Sequence, residues 1–436
     1  MRDLIRQKIV DSLASPVPRF TRRDVRLPAL RGKAVAVIGM RRTGKSTFLW
    51  QVLSDRLSKG SSRTSLLYFG FEDERLAGMK ASDLQFLLEE YYRLHPGMRD
   101  SGPTVFFLDE IQVVPGWEGF ARRLLETEKV ELFLSGSSAR LLSREVATSM
   151  RGRALEALVH PFSFREYLRH VGREPRTDVE RLPKAARSAL EKDLREYLAY
   201  GGFPESVGAA PRDRFDLLRG YVDTALLRDV VERHEVSHPV ALRWMVRQLL
   251  SNAAGYFSIN KFYGDLKSQG IPVAKDTLHE YLGHLEDAFL IRTVSVSTGS
   301  ERRRMVNPRK VYPVDPGLIP LFDPAGGFHV GHALETSVML ELERRGAEVS
   351  YVRNETGSEV DFLVRHADGR RQLLQVCADM EAPEVRDREL RGLADALAEK
   401  KSLEAHLIVL EPERPRNLPD SVHWHAASEW LLSEPE

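Results

Sequence analysis

Cysteine is almost absent from this 436-residue chain. The one thiol, Cys377, excludes an intramolecular disulfide and fits a reducing interior. No apolar run approaches the length of a membrane span, and residues 1–10 lack the apolar core of a secretory signal. A cytoplasmic protein with no membrane partner is the expectation. Charge of one sign is also missing: 64 Lys and Arg stand against 63 Asp and Glu, a formal net charge of +1. Bulk attraction to nucleic acid or anionic lipid is therefore excluded, and any such partner must rest on a local patch. There is no internal repeat and no low-complexity tract. What remains is 42% hydrophobic and 29% charged. That composition describes a globular chain long enough for roughly two to four domains with sizeable cores.

The most informative stretch runs from Val35 to Thr47. A short β-branched run leads into Gly39-Met40-Arg41-Arg42-Thr43-Gly44-Lys45-Ser46-Thr47, followed by apolar residues at helical spacing: Phe48, Leu49, Val52, Leu53 and Leu57. Strand, glycine loop, Lys-Ser and helix in that order form a phosphate-binding loop. The glycines let successive N–H groups point into one concavity, and the helix directs its positive end to the same point. Lys45 adds a full charge toward the β- and γ-phosphates, and the Ser46 hydroxyl can ligate Mg²⁺. Gly39, Arg42, Thr43, Gly44, Lys45, Ser46 and Thr47 are the expected nucleotide contacts.

A partner motif follows. Thr104-Val105-Phe106-Phe107-Leu108-Asp109-Glu110 is an apolar strand ending in two acids. Such a run is buried in a parallel sheet, and its acids emerge at the carboxyl end where ligands of α/β sheets sit. Asp109 is expected to hold Mg²⁺ through water and Glu110 to polarise an attacking water. The strand-like stretch Glu131 to Ser138 also ends in small polar groups. A hydroxyl there can contact the γ-phosphate or the water. Ser135, Ser137 and Ser138 are the candidates, and Ser137 is favoured. Between these strands, Ser82 with Gln85 reads as a capping box for a helix through Tyr92.

The ordered set of motifs resembles bacterial and archaeal AAA+ ATPases related to the STAND class, whose C-terminal domain has a restriction-endonuclease-like fold. The resemblance rests on the loop at 39–46, Phe107 to Gln112 with Gly116-Trp117-Glu118, and Ser135 to Ser143. Arg151-Gly152-Arg153, Pro161 to Glu166, Gly201-Gly202-Phe203-Pro204-Glu205, Val314-Asp315-Pro316-Gly317-Leu318 and Glu359-Val360-Asp361-Phe362 complete it. It spans nearly the whole chain. It implies an α/β fold with an AAA+ parallel sheet over 1–162, a helical lid over 163–235, a winged helix over 236–305 and a nuclease-like α/β domain over 306–436. It implies MgATP binding and hydrolysis to ADP. Arg153, or Arg151, occupies the place of an arginine finger reaching a neighbour's nucleotide in a homo-oligomer. Pro204 occupies the place of a proline that packs near the base.

Two readings of the C-terminal half stay open at this point. In the 236–305 region, Lys275, Thr277, His279 and Glu280 lie on the outward face of a recognition-type helix, which is not strongly basic. Arg302-Arg303-Arg304 and Arg309-Lys310 just beyond it can contact DNA phosphates, or can be the solvated wing of a protein-binding module. In the last domain, Glu335, Glu359 and Asp361 are candidate ligands of a second metal. Gln375 stands where a nuclease needs a further acid and Cys377 where it needs lysine. A working nuclease requires a lysine from elsewhere, so the expectation is a domain kept for binding or structure. His423 and His425 share one face of a strand, a weaker two-histidine candidate.

Overall fold

The computed structural model describes residues 1–30, 32–99, 102–136, 150, 152–323, 327–354, 357–399, 403–411, 413–414 and 418–434. The chain forms two compact units. One is residues 1–160 with 287–289, the other 161–286 with 290–436.

The first unit opens with helix α1 (Arg2–Ala14). Its buried Ile5 and Ile9 face the rest of the unit, and Lys8 pairs with Asp73 at 2.6 Å. Five strands follow: β1 (Ala34–Ile38), β2 (Leu66–Gly70), β3 (Thr104–Asp109), β4 (Val130–Ser135) and β5 (Ala154–Leu158). All pair in parallel in the order β2-β3-β4-β1-β5. Parallel strands are covered on both faces, which explains the unbroken apolar runs of β1 and β3. Helices α2 (Lys45–Ser58), α3 (Leu84–Leu94) and α4 (Trp117–Thr127) cover them. In α2 the side chains of Phe48, Leu49, Val52 and Leu53 pack on Val35, Val37, Val105, Phe107 and Phe133. Each such burial stabilises by about 1.5–3 kcal/mol. The expected capping box at Ser82 does not form. Asp83 instead accepts from the Lys80 amide at 2.9 Å, and Gln85 accepts from Arg123 across the surface. A short 3₁₀ turn, Ala81–Asp83, moves the start of α3 past Ser82.

The second unit begins with α5 (Phe164–His170), α6 (Lys184–Tyr200) and α7 (Pro211–Thr224). After α7 the helix widens into a π-turn over Ala225–Val231 before ending at His234. Next come α8 (Pro239–Ser251), β6 (Tyr256–Phe257), α9 (Ile259–Ser268), α10 (Lys275–Asp287), β7 (Ile291–Val294), α11 (Glu301–Val306) and β8 (Arg309–Pro313). The strands form an antiparallel sheet, β6-β8-β7. A boundary at residue 305 therefore separates β8 from the strands it pairs with.

The last stretch folds as α12 (Val330–Arg344), β9 (Glu348–Arg353), β10 (Glu359–Arg365), β11 (Arg371–Cys377), α13 (Pro383–Glu399), β12 (Glu404–Val409), β13 (Val422–Ala426) and α14 (Ala427–Leu432). Its five-stranded sheet runs β13-β12-β11-β10-β9, antiparallel from β9 to β11 and parallel from β11 to β13. Alternate residues serve opposite faces. Phe362, Val364, Leu374 and Ile408 share a core with Leu334 and Val338 of α12, whereas Val360, Leu363, Leu373 and Leu407 pack with Leu393 and Ala396 of α13. Gly392 lets α13 lie close on β10: a Cβ there would meet the Glu359 carbonyl oxygen at 2.3 Å. Pairing with β9 shifts register between Val360 and Leu363, a bulge beside Asp361.

Candidate functional site

The loop after β1 is built by backbone geometry that its sequence permits. Gly39 has φ 145° and Gly44 has φ 95°, while Arg42 adopts φ 68°. A Cβ on Gly39 would lie 2.3 Å from the Val159 carbonyl oxygen, so only glycine lets the loop turn beside the end of β5. Thr43 is fully buried, and its hydroxyl donates to the Met40 carbonyl at 2.9 Å. Lys45, 5% exposed, donates to the carbonyls of Met40 at 3.0 Å and Gly39 at 3.2 Å. α2 starts at Lys45 with Gly44 as its cap, so its first N–H groups face the loop's concavity. Arg42 and Thr47 are exposed, and Ser46 is half-buried at the mouth.

Sequence reasoning missed the brace behind this loop. Arg23, from the arm preceding β1, is buried. Its guanidinium donates to the Thr43 carbonyl at 2.8 Å and to the His160 carbonyl. Gln51 of α2 clasps the Arg23 backbone from both sides, at 2.7 and 3.0 Å. No motif marks an arginine twenty residues upstream, because the contact exists only once the arm is folded.

The two acids lie at the carboxyl end of β3, as expected. Asp109 is 6% exposed. Its Oδ1 accepts from the Ser135 hydroxyl and its Oδ2 from the Tyr68 hydroxyl. Ser135 Oγ in turn accepts from the Glu110 amide at 3.0 Å. Of the three candidate serines, Ser135 is described and meets Asp109; Ser137 and Ser138 lie outside the described residues. Glu110 adopts φ 54°, uncommon for a side-chain-bearing residue and frequent at functional sites. Burial raises its carboxyl above the usual range, while Lys45 and the Gln112 amide, which donates to it, act in the other direction. Gly39, Lys45, Ser46, Asp109 and Glu110 thus belong to one compact unit, at the carboxyl ends of β1 and β3, which flank β4 in one sheet. The oxygen donors Ser46 and Asp109 fit a hard divalent cation, and the glycine cradle fits a phosphate chain.

Arg153 precedes β5 and is partly exposed, in an ion pair with Glu126 of its own chain. Arg151 lies outside the described residues. Pro204 is half-buried in a turn of the second unit. The neighbouring glycines have a partner that the motif did not disclose: buried Asp315 accepts from the Gly202 amide at 2.7 Å and the Gly317 amide at 2.9 Å. A Cβ on Gly202 would meet the Phe162 carbonyl at 2.3 Å. The two motifs, Gly201-Gly202 and Asp315-Pro316-Gly317, are therefore one hydrogen-bonded joint.

Glu335, Glu359 and Asp361 do converge, and the structure corrects what they surround. Lys310 Nζ lies 3.0, 2.7 and 2.8 Å from their respective carboxylates. From sequence, Lys310 belongs to a basic stretch that contacts DNA phosphates or forms a solvated wing, exposed in either case. It is 3% exposed instead, because alternation along β8 turns it away from Arg309 and into the acids. It supplies the positive charge that Cys377 cannot. Tyr312 donates to Glu335 at 2.8 Å, and the Gln375 side chain accepts from the Asp361 amide at 3.0 Å. Burial and the neighbouring Asp361 raise the proton affinity of Glu335, against the pull of Lys310. Among the described residues no three His, Cys, Asp or Glu groups are arranged to hold a metal ion. His425 instead shares a 2.9 Å hydrogen bond with His406 of β12, a strand neighbour that sequence spacing does not reveal.

Residues 31–168 match the AAA domain family, and residues 191–323 match a domain of unknown function, DUF8612. The uncharacterized protein MJ1544 of Methanocaldococcus jannaschii is 30% identical over 404 residues, covering 91% of this chain and 86% of that protein. An uncharacterized protein of Haemophilus influenzae is 30% identical over 350 residues, covering 80% of this chain and 82% of that protein. Among solved structures, the Walker-type ATPase PABY2304 of Pyrococcus abyssi is similar, with a TM-score of 0.44 and 17% identity over 74% of this chain and 95% of that one.

Proposed function

This chain belongs to the family of the archaeal protein MJ1544 and carries an AAA domain at residues 31–168; from that premise we propose that it is a magnesium-dependent ATP hydrolase acting as a nucleotide-driven switch. The observation that carries this reading is the placement of the braced glycine loop and the Asp109–Glu110 pair at the carboxyl ends of β1 and β3, on either side of β4 in one parallel sheet, with the Lys45 charge acting on Glu110. The loop amides and Lys45 take the phosphate chain. Lys45 exchanges its two carbonyl acceptors for phosphate oxygens, a gain because the new partners are ionised. Ser46 and Asp109 would hold magnesium, which when bound neutralises charge developing on the transferred phosphoryl group. Glu110 orients and polarises the attacking water, and its raised proton affinity suits a group that accepts a proton. Ser135 ties the two acids into one rigid corner. Arg153 is the arginine we assign to a neighbouring subunit's nucleotide, after release from Glu126. Pro204 is the residue we assign to sensing nucleotide state, carried by the Asp315 joint. The direct test is phosphate release as a function of magnesium, with and without DNA. Turnover absent in the native protein, or present and unchanged by Lys45→Ala, would reject the hydrolase reading.

Two features bear on what the switch acts upon. Arg302, Arg303 and Arg304 on α11 are exposed, a local basic patch in a chain of near-zero net charge. That patch supports DNA as a partner through phosphate contacts. A gel shift that weakens steeply with salt and is lost in the triple Arg302→Ala/Arg303→Ala/Arg304→Ala protein is the outcome expected. Binding of protein alone is the competing result. A second reading, an ATP-gated metal-dependent nuclease, is favoured by one observation: Lys310 supplies the lysine that the β11 sequence lacks. It requires Mg²⁺- or Mn²⁺-dependent cleavage that disappears in Asp361→Ala. Without such cleavage the domain is a restriction-endonuclease-like scaffold whose acids serve to hold Lys310.

A further inference from the structure

The corner that receives the metal is already spanned by a side chain of the protein itself. Tyr68 lies on β2, beside β3 in the sheet, and its hydroxyl donates to Asp109 Oδ2. The Ser46 hydroxyl and the Trp50 indole also approach the phenolic oxygen. One hydroxyl therefore engages Asp109, one of the two oxygen donors expected to hold magnesium, with the other, Ser46, close by. Asp109 has a second internal partner, Ser135, but the two differ in freedom. Ser135 is fully buried at the end of β4. Tyr68 is half-buried and lines a cleft of about 700 Å³ together with Trp50, Ser12, Asp109 and Glu110. Its ring stacks on Trp50, with centroids 4.5 Å apart and planes at 28°.

We propose that the Tyr68 hydroxyl is a built-in occupant of the cation position between Ser46 and Asp109, which it yields when the magnesium–nucleotide complex binds. This rests on the reading of the loop as a nucleotide site. A phenolic O–H on the metal-facing side of Asp109 competes with the metal's water shell for the same carboxylate oxygen. Ser135 stays in place and keeps the carboxylate oriented during the exchange. Trp50, stacked on the moving ring, reports it. Tyr68 acts through Asp109 and is a positioning residue, not a catalytic one.

The test is binding of a fluorescent ADP analogue titrated with Mg²⁺, in the native protein and in Tyr68→Phe. Phenylalanine keeps the ring and its stacking but removes the hydroxyl. The expected result is a half-saturating Mg²⁺ concentration several-fold lower in Tyr68→Phe, with binding in EDTA unchanged. In the native protein, tryptophan fluorescence should change on adding Mg²⁺ to the ADP complex, and Trp50→Phe should lose that change. An unchanged or higher Mg²⁺ requirement in Tyr68→Phe overturns the proposal while leaving the nucleotide site standing. A native protein that binds no nucleotide overturns both.

Discussion

Each compact unit of this protein buries a lysine among oxygen acceptors, and the two are held in opposite ways. Lys45 rests on the neutral carbonyls of Gly39 and Met40. Lys310 rests on three carboxylates, each within 3.0 Å. A lysine on carbonyls gains by exchanging them for an ionised phosphate. A lysine already surrounded by carboxylates has no better partner to move to, because charge attraction at such distances is stronger away from water. The first arrangement suits a cation waiting for a ligand. The second suits a cation that has become part of the fold. Type, burial and charge of the residue are the same in both, so the acceptors decide the role.

That contrast can be broken by experiment, and the largest expected effect is on turnover. Lys45→Ala should abolish phosphate release, a loss on the order of 10³-fold or more if the lysine stabilises transferring phosphate as charged groups do in such sites. Glu110→Gln should retain nucleotide binding and slow hydrolysis by about 10²–10⁴-fold. Normal turnover by Glu110→Gln would remove Glu110 from the role given to it. Neither change should lower the melting temperature much.

Lys310→Met should do the reverse. Removing one partner of a buried ionic cluster leaves uncompensated charge and destabilises by about 3–5 kcal/mol. The thermal midpoint should fall markedly with the AAA site intact. Neutralising the acids as well, in Lys310→Met/Glu335→Gln/Asp361→Asn, should recover part of the loss. If Lys310→Met leaves stability unchanged but alters Mn²⁺ binding, the cluster is a working metal site and the contrast fails.

Asp315 sharpens the same point through pH. Burial lifts its carboxyl from 3.8 to about 7, opposed by the amides of Gly202 and Gly317. Between those values the folded protein binds a proton that the unfolded chain does not, so the Asp315 contribution to stability declines as pH rises through that window and levels off above it. Denaturant unfolding from pH 4 to pH 8 should show this slope, and Asp315→Asn should reduce it. The smallest effect is expected from Arg153→Ala. Its exposed pair with Glu126 contributes about 0–1 kcal/mol, so stability should hardly change. Specific activity that rises with protein concentration in the native chain, and not in Arg153→Ala, would support a role in trans.

The AAA portion was readable in the sequence because its chemistry is local. Gly39, Gly44, Lys45 and Ser46 act within one turn, and Asp109 and Glu110 are adjacent. The apolar residues of β1 and β3 belong to the same continuous runs. The contact of Ser135 with Asp109 shows where locality ends. Which hydroxyl meets Asp109 depends on the register of β4 against β3. The capping at Lys80–Asp83 is a similar miss, since a 3₁₀ turn competed with the helix start.

Composition and motif order by themselves determined the α/β class, the parallel sheet and the nucleotide loop, because periodicity and glycine placement act over a few residues. Tertiary structure alone decided the partners at longer range. Arg23 reaches Thr43, Tyr68 reaches Asp109, Asp315 joins Gly202 across 113 residues, and Lys310 turns inward to Asp361. Each is a single polar side chain whose meaning lies in what it meets. Sequence records that such a group is present, whereas only packing sets whether it faces water, a carbonyl or another charge.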